Sequence, residues 1–131
     1  MKITPVLIVD SIEACLPFWT GRLGFEKTVE VPDGDVLGFV ILAREGAEIM
    51  LQTVASIRKD EPGLAPASTD GPDLCPLFIE VDDFADVRRR LDGYPIRMPE
   101  RKTFYGMVEI GVKDPGGHFV VFAARTAEAA R

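Results

Sequence analysis

Three glutamates, Glu48, Glu80 and Glu109, lie inside apolar runs that are typical of β-strands. Successive strand residues point to opposite faces of a sheet, so each carboxylate is expected opposite its apolar neighbours. Carboxylates gathered on one surface attract a cation, and a pair such as Glu80 with Glu109 has the groups needed for general acid–base catalysis. The pattern leaves open whether the three glutamates form a site or sit at a solvated rim that binds nothing.

Other reactive side chains are few. The chain has one histidine, His118, which follows a Gly-Gly turn and is interpreted as a surface or turn-stabilising residue. A serine or cysteine nucleophile therefore lacks an obvious base. Cys15 and Cys75 lack a CxxC spacing and are predicted to be reduced, buried and small apolar side chains. Neither a GxSxG elbow, a P-loop nor a GxGxxG motif occurs in the sequence.

Composition limits the class of protein. The 131 residues, 47% hydrophobic and 27% charged, predict one globular domain. The net charge of −6 and the absence of a basic stripe beyond 88–90 argue against a nucleic-acid partner. The charge-free run from Val36 ends at Ala43 and is too short for a membrane span. The first apolar run is interrupted by Asp10, so it does not have the uninterrupted apolar region of a signal peptide. A cytoplasmic location without membrane partners is the resulting expectation.

The first half of the chain has the pattern of a strand, a helix and three strands. Residues 3–9 form an apolar β run, and Asp10 and Ser11 are good helix N-caps. A helical stripe follows and ends at Gly24, and Pro17 is expected to bend this helix. The stripe consists of Ile12, Cys15, Leu16, Trp19 and Leu23. Further strands are predicted at 25–31, 36–44 and 47–53, with a turn at 32–35.

The second half repeats this order after a stretch rich in Pro and Gly, 55–74, which is predicted to be a linker without regular structure. Asp82 and Asp83 are expected to cap a helix whose apolar positions are Phe84, Val87 and Leu91 and whose end is Gly93. The remaining predictions are strands at 76–81 and 94–98, a charged turn at 100–103, and a hairpin whose turn contains Pro115, Gly116 and Gly117.

The two halves match at a nearly constant spacing. Val9 and Asp10 correspond to Val81 and Asp82 at an offset of 72 residues, and Gly46 corresponds to Gly117 at an offset of 71. This agreement predicts an α+β fold of tandem βαβββ modules. The expected organisation is a single domain, 1–131, with modules at 1–54 and 76–125, a linker at 55–75 and a tail at 126–131.

Three segments, TPVLIVDSIEACLPFWTGRLGF, LFIEVDDFADVRRRL and VKDPGGHFVVF, in this order and spacing, resemble the vicinal oxygen chelate superfamily. This group includes glyoxalase I, extradiol dioxygenases, methylmalonyl-CoA epimerases and bleomycin resistance proteins. The resemblance covers nearly the whole chain. It implies two βαβββ modules whose strands form a cup-shaped mixed sheet, commonly assembled as a homodimer.

The resemblance also implies where a metal would bind. Members that use a divalent ion place His, Glu or Gln at positions that correspond here to Thr4, Met50, Pro76 and Val121. None of these side chains is a credible imidazole or carboxylate ligand. We therefore expect no metal, no cofactor and no catalytic residue of the metal-dependent kind.

If the residues at these positions face into the cup, strand alternation gives further expected ligand contacts. The expected contacts are Glu48, Met50, Gln52, Phe78, Glu80, Glu109 and Phe119, and the aromatic residues Phe104 and Tyr105 are added because their rings could stack on a ligand. Phe104 and Tyr105 end a stretch, 98–105, that is expected to be flexible, and ordinary strand packing is their alternative role. The expected function is a metal-independent small-molecule-binding protein that resembles bleomycin resistance proteins. It would sequester a cationic or aromatic ligand at a dimer interface, with a role in antibiotic resistance. The alternative is a lyase or isomerase of the same superfamily.

Overall fold

The computed structural model describes residues 1–126; the predicted tail at 126–131 lies almost wholly outside them. The first module contains β1 (Val6–Val9), α1 (Ile12–Leu16), a π-helical segment (Pro17–Arg22), β2 (Glu26–Asp33), β3 (Val36–Arg44) and β4 (Ala47–Thr53). The connection contains α2 (Val54–Asp60) and a short 3-10 turn (Pro62–Leu64). The second module contains β5 (Leu77–Glu80), α3 (Phe84–Arg90), β6 (Met98–Lys102), β7 (Met107–Lys113) and β8 (Phe119–Arg125).

Each module forms a four-stranded mixed sheet, and the strand orders are equivalent: β1-β4-β3-β2 and β5-β8-β7-β6. The outer pairs β1–β4 and β5–β8 are parallel, and the other pairs are antiparallel. Val6 pairs with Met50 in the first sheet, and the equivalent Phe78 pairs with Val121 in the second. The predicted α+β fold of tandem βαβββ modules is therefore confirmed.

The chain divides into two compact units. One contains residues 1–71 with Pro115–Gly117, and the other contains residues 72–114 with residues 118–126. The boundary between Gly71 and Pro72 lies inside the predicted linker. Within residues 1–126 no helix is long and apolar enough to cross a membrane.

The helical stripe of the first module packs as its spacing predicts. The Ser11 side chain accepts a hydrogen bond from the Ala14 amide at 3.2 Å and caps α1. The rings of Phe18 and Phe25 meet Trp19 edge to face, with centroids 5.1 and 5.3 Å away, and all three are buried. Pro17 has no amide hydrogen, and at this residue the helix changes to π-type hydrogen bonding. These three rings therefore belong to the hydrophobic core of the first unit.

The linker prediction is wrong for its first part, because α2 follows β4 directly. The Thr53 side chain accepts a hydrogen bond from the Ser56 amide at 3.1 Å, and Ile57 is buried. Lys59 Nζ lies 2.6 Å from Asp33 Oδ1, which ties α2 to the end of β2. One buried residue in seven is too weak a periodic signal to detect in sequence.

The strand predicted at 94–98 and the charged turn predicted at 100–103 are also wrong. The strand is Met98–Lys102, and Glu100 and Arg101 lie inside it. As an edge strand, β6 is solvent-exposed at most positions, so its charged residues can be accommodated without burial. Arg88 of α3 donates two hydrogen bonds of 2.7 Å to the Glu100 carboxylate, and these bonds lower the pKa of Glu100. Tyr94 lies before the strand and donates its hydroxyl hydrogen to the Lys113 carbonyl.

The cysteines differ from each other. Cys15 is buried within α1 as expected, whereas Cys75 is exposed just before β5, so the prediction of burial is wrong for Cys75. Its neighbour Asp73 accepts a hydrogen bond from the Cys75 amide at 3.2 Å and another from the Phe119 amide at 2.6 Å. These two bonds tie the segment before β5 to the start of β8.

A substitution at Gly38 tests how closely α2 packs on β3. An added Cβ would lie 2.9 Å from Asp33 Cβ and 3.1 Å from Ser56 Cβ, closer than van der Waals contact permits. We expect Gly38→Ala to lower the free energy of unfolding by about 1–3 kcal/mol, measured by urea denaturation. Gly21→Ala is the matched control, because its added Cβ has no contact within 4 Å beyond its chain neighbours and the backbone of its own helix. Equal stability of the Gly38 variant and the wild type would contradict this packing.

Candidate ligand-binding surface

Strand register assembles one face of the second sheet. Across β5, β8, β7 and β6, Glu80 pairs with Ala123, Ala123 with Glu109, and Glu109 with Arg101. The neighbouring row is Phe78, Val121, Gly111 and Met98. Paired residues in a sheet share a face. These eight residues, together with Phe119 two positions before Val121, form what we call the Glu109 face.

The carboxylate of Glu109 is the best-satisfied polar group on this face. Its side chain is only 2% exposed. Oε1 accepts hydrogen bonds from Arg101 Nη2 at 3.1 Å and Nε at 3.3 Å, and Oε2 accepts one from the Tyr105 hydroxyl at 2.6 Å. A buried carboxylate requires such donors, because burying it without them would cost several kcal/mol. These contacts favour a positioning role for Glu109, and its role as a direct ligand contact stays a prediction.

Tyr105 shows the electrostatic effect of this contact. The hydrogen bond to Glu109 raises the pKa of the Tyr105 hydroxyl above its ordinary value of 10.0, and desolvation and the Glu109 charge act in the same direction. The neutral hydroxyl is therefore the favoured form at physiological pH. Tyr105 is thereby fixed as a donor to Glu109, while its ring is half-exposed.

Glu80 has the opposite environment. Its side chain is exposed, and it makes no hydrogen bond or ion pair with any residue from 1 to 126. Ala123 lies between Glu80 and Glu109 in the row and is fully buried, so among these three residues the row is exposed at Glu80. Phe78 lies on the same face two residues away and is 55% exposed. The face thus presents a free carboxylate beside an exposed aromatic ring.

A further pair of aromatic residues occupies the turn between β6 and β7. Phe104 is fully exposed and meets Tyr105 edge to face, with ring centroids 5.0 Å apart. Thr103 stabilises the turn by accepting a hydrogen bond from the Met107 amide at 3.0 Å. The expectation of a flexible stretch at 98–105 is therefore wrong for its first part, which is β6. The exposure of Phe104 excludes core packing as its role.

Phe119 lies over a glycine. A Cβ added at Gly111 would come within 2.8 Å of Phe119 Cζ and 2.9 Å of Met98 Cβ. The missing side chain at Gly111 therefore makes room for the Phe119 ring on the Glu109 face. Phe119 is half-buried in this position.

The polar residues of the first module that were predicted to contact a ligand, Glu48 and Gln52, have partners within that module. Glu48 Oε1 lies 2.8 Å from Lys2 Nζ and accepts a weaker hydrogen bond from Thr4 at 3.4 Å. Gln52 donates to Ser56 Oγ at 3.4 Å, and Met50 is half-buried. Glu48 belongs to the first unit and the other two glutamates to the second. Their convergence on one surface stays a prediction.

The side chains at the positions that the fold would use for a metal do not fit a divalent ion. Thr4 and Pro76 precede β1 and β5, and Met50 and Val121 lie in β4 and β8. Thr4 has a hydroxyl, Met50 a thioether, Pro76 a pyrrolidine ring and Val121 an aliphatic group. None of these is an imidazole or a carboxylate, the groups that hold catalytic divalent metals. No group of three or more His, Cys, Asp or Glu residues that could hold a metal occurs within residues 1–126. His118 donates its amide hydrogen to Asp114 Oδ1 at 2.8 Å, within the β7–β8 turn.

The profile of the Glyoxalase/Bleomycin resistance protein/Dioxygenase superfamily matches residues 3–122. The chain belongs to this superfamily. A search of curated protein sequences finds no significant match. This membership agrees with the resemblance seen in the sequence motifs. The family contains both enzymes and resistance proteins, so membership defines the fold and leaves the activity open.

Solved structures show the same fold over almost the whole chain. A glyoxalase/bleomycin resistance protein/dioxygenase from Nocardioides is 21% identical, with a TM-score of 0.76, covering 97% of this chain and 85% of that one. TioX from Micromonospora sp. ML1 is 17% identical, with a TM-score of 0.71 and coverage of 95% and 99%. A lactoylglutathione lyase from Agrobacterium tumefaciens is 18% identical, with a TM-score of 0.68 and coverage of 94% and 92%. Identities this low establish similarity of fold alone.

Sequence reasoning missed the two cations that neutralise predicted site residues. Lys2 lies before the first predicted strand, and Arg101 lies in a segment predicted to be a turn. Arg101 lies eight residues before Glu109, a separation that places the two opposite each other in a hairpin if the first strand extends to Lys102. The strand predicted from the sequence ends at residue 98, so it does not pair Arg101 with Glu109.

The contact between Glu109 and Tyr105 can be tested by ultraviolet titration of tyrosine. In a Tyr94→Phe background only Tyr105 titrates, and we expect Glu109→Gln to lower its pKa toward 10.0 because the acceptor charge is lost. A raised native pKa means that Tyr105 stabilises the fold below pH 10.0 and that this contribution is lost as the pH rises through the native value. Glu100→Gln is the control, since Glu100 binds Arg88. An unchanged Tyr105 pKa in Glu109→Gln would contradict the contact.

Proposed function

We propose that this protein is a metal-independent small-molecule-binding protein that sequesters a cationic ligand with a planar aromatic part. The observation that carries the proposal is the unpaired carboxylate of Glu80 beside the exposed ring of Phe78. Both lie on the Glu109 face, where Phe78 pairs with Val121, the residue at one of the fold's metal-ligand positions. The bleomycin resistance proteins of the family provide the precedent for binding without catalysis.

Charge pairing narrows the class of ligand. Glu48 is paired with Lys2, and Glu109 with Arg101, so Glu80 is the one predicted glutamate contact without a partner among the described residues. A single free carboxylate matches a ligand with one positive charge. A solvent-exposed ion pair contributes only about 1 kcal/mol or less. Most of the affinity must therefore come from aromatic contact, for which Phe78 and Phe104 offer exposed rings.

The wider biological role follows from this proposal. Sequestration of a cationic aromatic drug would give antibiotic resistance, and we propose that the protein acts as a homodimer in the cytoplasm.

A lyase or isomerase activity is the competing hypothesis. It requires either a bound metal ion or a pair of carboxylates free to exchange protons, and Glu109 is already engaged by Arg101 and Tyr105.

Ligand binding can be measured with a monocationic planar dye, rhodamine 123, by fluorescence anisotropy, and with metal-free bleomycin by thermal shift. We expect the wild type to bind the dye and Glu80→Gln to weaken binding severalfold through loss of the charge pair, about 0.5–1 kcal/mol. Phe78→Ala is expected to weaken binding by about tenfold or more, because the stacking surface is removed.

Glu61→Gln is the matched control, since it removes an exposed, unpaired carboxylate from the connection after α2. It should bind the dye as the wild type does. Equal weakening in Glu61→Gln would show that net charge alone attracts the dye. Failure of both probes to bind the wild type would contradict the proposed function.

Metal content gives a second test. Protein purified without chelator is expected to contain far less than one equivalent of zinc, nickel, iron or manganese by inductively coupled plasma mass spectrometry, because the fold's ligand positions carry no imidazole or carboxylate. Addition of these ions should leave the melting temperature unchanged. A stoichiometric metal that survives dialysis would overturn metal independence and favour the enzyme hypothesis.

A further inference from the structure

The first unit contains a polar cavity of about 380 Å³ that is separate from the Glu109 face. It lies where the end of β1, one side of α2 and residues 67–70 of the connection meet. Its polar lining residues are Asp10, Arg58, Ser68, Thr69 and Asp70, and small aliphatic side chains of α2 and the connection supply the rest. Its volume lies within the range of small-molecule sites, roughly 300–1,000 Å³.

The connection is held against β1 at this cavity by a side-chain contact. The Thr69 hydroxyl donates a hydrogen bond to Asp10 Oδ2 at 2.8 Å, although 59 residues separate the two in sequence. The Ser68 hydroxyl accepts a hydrogen bond from the Asp70 amide at 2.9 Å. These bonds give the wall formed by residues 67–70 a defined conformation. The segment that the sequence presents as a plain linker therefore completes a binding-sized cavity.

Opposite charges line the cavity without neutralising each other. The Arg58 guanidinium and the Asp70 carboxylate make no ion pair or side-chain hydrogen bond with any residue from 1 to 126. Asp10 keeps a second carboxylate oxygen beyond its bond to Thr69. A guanidinium binds carboxylates in a bidentate manner, and a carboxylate binds ammonium groups. The cavity thus has a positive pole, the guanidinium of Arg58, and a negative pole, the carboxylates of Asp70 and Asp10. Arg58 and Asp70 have no ion-pair partner among the described residues.

We propose that this cavity binds a small zwitterion, an amino acid or amino-acid-like molecule, with its carboxylate on Arg58 and its ammonium group on Asp70 and Asp10. An inorganic oxyanion fits less well, because two carboxylates share the walls with one guanidinium and would repel it. An organic cation alone leaves Arg58 unmatched. The site uses none of the residues of the proposed drug-binding function and stands independently of it.

A series of zwitterions with increasing charge separation tests the proposal: L-alanine, β-alanine and γ-aminobutyrate, titrated at millimolar concentrations. Binding is followed by ¹H–¹⁵N chemical shifts of Ala55, Arg58, Thr69 and Asp70. We expect at least one of the three to give saturable shifts at these amides. Acetate and propylammonium, each carrying only one of the two charges, should bind about tenfold more weakly or not at all.

Variants locate the two poles. Arg58→Gln and Asp70→Asn should each weaken binding by about tenfold, since each removes one charge-assisted contact. Arg97→Gln is the matched control, because Arg97 is likewise exposed but belongs to the second unit. Its binding should equal that of the wild type. The proposal is overturned if no zwitterion gives saturable shifts, if the half-ligands bind equally well, or if Arg58→Gln binds normally.

Discussion

The buried carboxylate of Glu109 is the constraint on which the structure of the Glu109 face depends. A charge that is only 2% exposed is stable there only with close donors, and Arg101 and Tyr105 provide them. Arg101 can reach Glu109 because β6 pairs with β7 in the register that places the two residues opposite each other. The other carboxylate oxygen of Glu109 accepts the hydrogen bond from Tyr105, which lies in the turn that exposes Phe104. The Glu109 carboxylate thus links strand register, turn conformation and the aromatic surface.

Pairing also decides which charges a ligand would meet. Three strand glutamates look alike in sequence, but Lys2 neutralises Glu48, Arg101 neutralises Glu109, and Glu80 is left free among the described residues. Electrostatic attraction of a ligand depends on the carboxylates that have no cationic partner, and not on the total number of acidic residues. The ligand that we propose is therefore a monocation, whereas the sequence alone led us to expect a cup with three acidic contacts.

The two modules share a strand order but differ in the side chains on their sheets. Both sheets have the same strand order, and both lack a metal-binding side chain at the positions where the fold provides one. The backbone of each βαβββ unit is specified by apolar residues on its buried face, such as Leu51 in the first sheet and Val120 in the second. The exposed face is free to change, which is how one scaffold accommodates both enzymes and binding proteins.

The sequence predicts the strands that carry a clear alternation or a sharp turn. The bounds of β3 and β4 are as predicted, because Gly46, with a φ of 84°, ends the intervening turn and the flanking residues alternate. Sequence patterns did not predict β6 at its observed position and did not predict α2 at all. An edge strand with charges on exposed positions has no apolar alternation, and a seven-residue helix with one buried residue has no detectable period.

By itself, then, the sequence determines the tandem fold, the superfamily and the absence of metal-binding side chains at the fold's ligand positions. These depend on local patterns and on which residue stands at each place in a repeat. Only the tertiary structure decides that Glu109 is buried and bound while Glu80 is free, and that Thr69 meets Asp10 beside an unpaired Arg58. The state of each carboxylate depends on partners that are distant in sequence, or on strand register, and neither is encoded in the pattern of its own strand.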